Sequence, residues 1–245
     1  MKNFKITFIC LLVVIVHIVN PYSQISLVFL KEDFNDLENW TPLFFPKIEK
    51  HSSYTIENLG EEKYLKAKSY SSASGLISKK EFNPYDFPLI KWRWKVDNIY
   101  KKGDATQKKG DDYPIRIYIL FKFNPNKSGL LEKMKYKSLK LIYGEYPPHS
   151  SLNYVWGNKS HLERIITSSY TERAKVIVLE HGSENIGKWI YESINIVEDY
   201  QKAFGENPPE VAGIAIMNDS DNTGENSQSY VDNIEIYSVE NINEY

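Results

Sequence analysis

The sequence predicts a mainly β protein, a two-sheet antiparallel sandwich carrying one or two short helices. Three observations lead there. Segments with a two-residue hydrophobic period recur along the chain, turn-forming dipeptides separate them, and the helix–strand alternation that builds parallel sheets is missing. Aromatic residues make up 14% of the chain, with 18 tyrosines, and such side chains favour pleated, half-buried surfaces.

The chain opens on a basic head, Met1-Lys2-Asn3-Phe4-Lys5, followed by the apolar run ITFICLLVVIVHIV. That run is about 14 residues long, shorter than the roughly 20 a membrane span needs. Asn20-Pro21-Tyr22-Ser23 follows, so residues 1–23 read as a secretory signal peptide cleaved near Ser23, with an uncleaved anchor as the alternative. The expectation is a periplasmic or extracellular protein whose residues 24–245 form one β-sandwich domain. Removing Lys2 and Lys5 from 30 cations leaves 28 against 32 acids, a formal charge of −4. The basic field that nucleic-acid binding requires is therefore missing. The one cysteine, Cys10, lies inside the leader, which excludes a disulfide scaffold, a thiol enzyme or a cysteine–zinc site from the rest.

From Gln24 onward the first candidate strands are QISLVFL, SSYTIE, KYLKAKSYS and GLISKKEF. Residues 91–96 place Trp92, Trp94 and Val96 on one face and Lys91, Arg93 and Lys95 on the other. Residues 114–123 repeat the pattern, with Ile115, Ile117, Ile119 and Phe121 opposite Arg116, Tyr118, Leu120 and Lys122. KSLKLIYGEY, LNYVWGN, AKVIVLEHG, KWIYESINI, VAGIAIMN and SYVDNIEIYSV complete the strands. Two helices are expected. One covers residues 128–135. The other lies in NIVEDYQKAFG, where Ile196, Val197, Tyr200 and Phe204 share a side and Gly205 and Pro208-Pro209 stop it.

Five blocks in this order resemble a bacterial family of secreted proteins known only as domain of unknown function 3047. They are KWRWKV (91–96), GDDYP (110–114), Arg116 within IRIYILF, LNYVWG (152–157), and the tail from Asp199 to Tyr237. The resemblance runs from Leu30 to Tyr237 and implies no established activity. The opening EDFNDLENW and the closing YVDNIEIY also resemble the terminal strands of jelly-roll carbohydrate-binding modules, galactose-binding-like or concanavalin-like in architecture. That likeness implies terminal strands lying side by side, often with a structural calcium.

Candidate site residues fall in three groups. In IMNDSDNTGE (216–225), Asp219, Asp221 and Thr223-Gly224 begin a calcium-loop pattern, with oxygen ligands on alternate residues and Gly at the turn. Tyr230 stands where that pattern needs a bidentate Glu, so Glu225, Asp111 or Asp112 would have to converge on the ion. Asp219, Asp221 and Glu225 are the candidate calcium ligands, and a plain acidic turn is the alternative. The second group is Asp111, Asp112, Arg116 and Tyr118. Arg116 either braces a carboxylate, Asp112 sharing its face, or forks onto an anion such as an acidic sugar. The third group, Asn153, Tyr154 and Trp156, supplies an amide and ring planes of the kind sugars stack on, with core packing as the competing role. For Trp92 and Trp94 core packing is the expected role.

Catalytic signatures are few. There is no HExxH zinc motif, no GxSxG elbow and no P-loop. Asp111, Asp112, Glu145 and Asp219 are the carboxylates a glycosidase could draw on. Three readings stay open: a protein binding a saccharide or similar polar or acidic ligand on a concave aromatic and charged face, a polysaccharide hydrolase or lyase, and an envelope scaffold that contacts only proteins. The partners expected are a glycan or other polar small ligand, without nucleic acid and without a membrane span once the leader is removed.

Overall fold

The computed structural model describes residues 24–46, 48–143, 146–161 and 163–241. The expected leader and Glu145 lie outside them. Two sheets face each other. The first contains β1 (Gln24–Glu32), β3 (Ser53–Leu59), β4 (Glu62–Tyr70), β6 (Leu89–Val96), β11 (Ile190–Asn195) and β13 (Asn226–Asn241), in the order β11-β6-β13-β4-β3. β1 lies antiparallel to the second half of β13, so the terminal strands are neighbours. The second sheet runs β2 (Trp40–Leu43), β5 (Ala73–Phe82), β12 (Ala212–Asp219), β7 (Arg116–Phe121), β8 (Ser150–Gly157), β10 (Ala174–His181) and β9 (Ile165–Thr167).

The core lies between the sheets and is supplied by the alternation visible in the sequence. β7 turns Ile117, Ile119 and Phe121 inward, β12 turns Ile214 and Ile216 inward, and β6 contributes Trp92 and Trp94. An aromatic spine ties the layers together: the Trp92 and Tyr154 rings are 5.9 Å apart and the Trp94 and Trp156 rings 6.1 Å apart. Polar groups close one end of this core. The Asn218 amide donates to Pro114 O at 2.7 Å and to Ser229 Oγ at 3.0 Å, while its N–H reaches Tyr54 Oη at 3.0 Å. A single side chain thus joins β12 to the opposite sheet.

Three features differ from the expectation. β8 and β10 are parallel, because the chain leaves β8, crosses to the edge strand β9 and reverses into β10. β2 and β9 have four and three residues, too few to show a period. Residues 137–143 of the expected strand KSLKLIYGEY are instead the end of helix α1 (Leu130–Tyr143). Leu, Lys, Met and Glu dominate this stretch and favour helix. Tyr136 anchors it by stacking on Phe123 at 3.7 Å. Helix α2 (Ile196–Phe204) meets the expectation at both ends. The Asn195 side chain accepts from the Val197 and Glu198 N–H groups, and Gly205, at φ 71°, closes the last turn. No described helix is long and apolar enough to cross a membrane.

At the β11 edge, Glu192 lies opposite Trp92, and its Oε1 is buried without a hydrogen-bond partner among the described residues. Burial, with Glu180 nearby, pushes this carboxyl from 4.5 up to about 7. The neutral form is the one the fold tolerates, so its contribution is full below pH 4.5 and is lost as pH rises through 7. Glu192→Gln is expected to be more stable than the parent at pH 8 by about 2 kcal/mol, a figure discounted for partial exposure, and equal to it at pH 4. Thermal unfolding across that range measures the difference.

Candidate functional site

The side chains that β7, β8 and β12 turn away from the core form the floor of a hollow of about 390 Å³. Arg116 and Tyr118 come from β7, Ser151 and Asn153 from β8, and Met217 and Asp219 from β12. The register sets Arg116 between Met217 and Val155. Three loops build walls: Phe45, Pro46 and Ile48 after β2, Tyr170 and Thr171 before β10, and Asp221 and Asn222 after β12.

Arg116 is 4% exposed and Asp219 1%. The guanidinium forks onto this carboxylate, Nε donating to Oδ1 at 2.9 Å and Nη2 to Oδ2. Nη2 also donates to the Asp111 carbonyl at 2.5 Å, and Nη1 lies 3.5 Å from Asp111 Oδ1. The Tyr113 ring packs 4.4 Å from the guanidinium carbon. The Nε–Nη2 side of the guanidinium is thus taken by Asp219 and its Nη1–Nη2 end by Asp111. Burial pushes the Asp219 carboxyl up, to about 8, and Arg116 pulls against it. Asp111 is likewise raised by burial and lowered by Arg116.

Asp112 does a different job from the one its spacing implied. It precedes β7, so it does not share Arg116's face. Instead it reaches the β12–β13 loop, accepting from the Asn222 N–H at 3.3 Å and the Thr223 N–H at 2.6 Å. This answers part of the calcium pattern: the loop is a turn clamped from outside by a buried carboxylate, with Gly224 at φ 71°. Gly110 lets the segment approach, because a Cβ there would stand 2.6 Å from the Asp104 nitrogen. Oxygens of Asp112, Asp219 and Asp221 lie within 4.8 Å of one another. Glu225 is not with them; it points elsewhere and accepts from the Lys101 and Lys102 N–H groups at 3.1 and 2.9 Å.

The third group divides by strand parity. Asn153 lines the hollow, 4% exposed, with Oδ1 buried and without a hydrogen-bond partner among the described residues. Tyr154 and Trp156 point the opposite way and are 0% exposed. The expectation that they offer stacking planes is corrected: both are core, their polar atoms spent on Asp199 and the Gly182 carbonyl. The rings that do line the hollow are Tyr118, Phe45 and Tyr170. Sequence reading missed the last two because they sit on loops without a period. A larger depression of about 710 Å³ lies on the other sheet, lined by Lys50, Lys68, Tyr70 and Asn226. Those side chains face solvent, and none of its lining holds a buried polar atom without a partner.

Fold and hollow together define a β-sandwich protein with a polar, ring-walled depression on one outer sheet face. The chain belongs to the family described as "Protein of unknown function (DUF3047)", which matches residues 38–235. No curated protein is similar to it at a significant level. Among solved structures it overlaps a meso-active thermo-stable cellulase derived from Cel12A of Rhodothermus marinus (11% identity, 89% of this chain and 100% of that one, TM-score 0.41). It also overlaps the carbohydrate-binding module TmCBM27, described for specific mannan recognition (12%, 87% and 98%, TM-score 0.34). With the enzymatically active domain of bacteriophage CBA120 tailspike protein 4 (8%, TM-score 0.39), 85% of this chain covers 20% of that one. At such scores the overlaps carry no argument about ligand or reaction.

Proposed function

We propose that this protein binds a saccharide, or a small ligand of the same hydroxyl-rich chemistry, in the hollow on the seven-stranded sheet. Asn153 carries the reading. Its Oδ1 is a buried acceptor that no described residue satisfies, and such an atom costs about 1–3 kcal/mol unless a donor arrives. A sugar hydroxyl is such a donor. The rings of Tyr118, Tyr170 and Phe45 give the apolar surface that sugar C–H faces pack on, beside the hydroxyls of Ser151 and Thr171.

Arg116 plays a supporting part in this reading. Four of its five N–H groups are committed to Asp219 and Asp111, so it holds the floor together and has no two-donor fork left for an anion. Asp221 adds a further carboxylate, which makes an acidic sugar a poor match and a neutral or cationic one a good match. Export to the periplasm or the outside belongs to the same proposal and rests on residues 1–23.

A neutral-oligosaccharide array followed by titration of its best binder tests the reading. Asn153→Leu, with the same number and branching of side-chain heavy atoms, should keep the fold and lower affinity at least tenfold. An array without binders, or a binder indifferent to Asn153→Leu, would contradict it. The hydrolase alternative has one supporting observation: Asp221 is half-buried, and burial and Asp112 push its carboxyl up. New reducing ends that vanish in Asp221→Asn while binding persists would favour it. Calcium is a separate proposal for Asp112, Asp219 and Asp221. An ion bound only to the folded state should add about 2.7 kcal/mol at a hundredfold excess over Kd. A melting temperature unmoved by calcium or chelator removes it.

A further inference from the structure

Helix α1 carries large apolar side chains on the side that faces away from the protein. Leu130 is 75% exposed, Leu131 83%, Met134 60% and Leu141 83%. At about 100° per residue these four, with Ser138 among them, occupy one continuous arc of roughly 100°. The body-facing side is the opposite one. There Tyr136 is buried against Phe123, and Glu132 and Leu139 are half-buried. Lys133, Lys137 and Lys140 border the apolar arc on one side and Lys135 on the other, all exposed. The one acid of the helix, Glu132, is turned inward, 3.6 Å from the His149 ring.

A soluble surface rarely gathers four large apolar side chains on one face of a helix this short. We propose that α1 lies flat on the surface of a membrane containing anionic lipid. Leucines and methionine enter the headgroup–acyl boundary while the lysines extend sideways to lipid phosphates, the arrangement that interfacial helices use. Charge decides between occupants. A second copy of this chain would bring its own lysines against these, whereas an anionic bilayer complements all four. The helix length of about 21 Å suits lying in the interface and is too short to span it.

The test is co-sedimentation of the full chain with phosphatidylcholine vesicles, with and without 30 mol% phosphatidylglycerol (an arbitrary but common fraction, roughly one lipid in three). Variants are compared with the parent, all carrying residues 1–23, so differences report α1 alone. The expected result is partitioning at least tenfold stronger with the anionic lipid, weakened by salt. Leu131→Glu with Met134→Glu should lower it tenfold or more without moving the melting temperature, since both side chains are exposed. Leu131→Trp should show a blue-shifted emission on the same vesicles. Equal partitioning onto both vesicle types, or variants that partition like the parent, would overturn the proposal. So would a soluble dimer that the double variant dissociates, since it would show that the face meets a second copy.

Discussion

Arg116→Met is expected to lower stability by about 3–5 kcal/mol, the range for removing one partner of a buried ion pair. For a chain of this length that corresponds to a melting temperature roughly 10 °C lower. The cost arises from what remains: Asp219, 1% exposed, and Asp111 lose their cation while staying out of water. Both carboxyls are already raised by burial, and without the guanidinium they rise further. A raised carboxyl contributes stability below its unfolded value that is lost as pH climbs through the folded one. The variant should therefore sit closest to the parent near pH 4 and furthest from it near pH 9. Arg116→Met with Asp219→Asn should recover much of the loss, because it removes the stranded charge. A single variant as stable as the parent at pH 8 would show that the pair holds nothing together.

The second large effect belongs to Asp112. Its carboxylate is the outside clamp on the β12–β13 loop, and Asp112→Ala leaves the Asn222 and Thr223 N–H groups without their acceptor. At about 1–3 kcal/mol for the buried Thr223 donor and about 1 kcal/mol for the part-buried Asn222 donor, the expected loss is about 2–4 kcal/mol. Asp112→Asn keeps one acceptor oxygen and should lose about half as much. Saccharide affinity should fall with Asp112→Ala, since Asp221 and Asn222 wall the hollow from that loop. Chemical denaturation and a ligand titration on the same variants separate the two effects.

Much of this arrangement is legible in the chain, and the reasons are specific. Strand parity places Arg116, Tyr118 and Asn153 on faces opposite Ile117, Ile119 and Tyr154, and the structure keeps that division. Parity alone does not say which face is the core. Tyr154 and Trp156 read equally as ligand platform or as filling until β6 is seen to bring Trp92 and Trp94 against them. Spacing within one strand offers Asp112 as the brace for Arg116. The strand begins only at Arg116, which frees Asp112 to bend toward the loop and leaves the fork to Asp219, 103 positions away in the chain. Contacts of that kind follow from which strands are neighbours. The pairing of β7 with β12 is set by the whole sheet, not by either segment. The sequence divides α1 between a helix and a strand because Leu139 and Leu141 flank Lys140 with Ser138 before them, a pattern that fits both periods over so short a window.

Hydrogen exchange with and without the best-binding oligosaccharide tests the site directly. The account predicts added protection in residues 113–119, 151–154 and 168–174 and in the loop 219–223. These segments come from distant parts of the chain and meet only at the hollow above Arg116. Protection confined to the opposite sheet, around Trp189, Tyr230 and Lys95, would place the sugar on the wrong layer of the sandwich and contradict it.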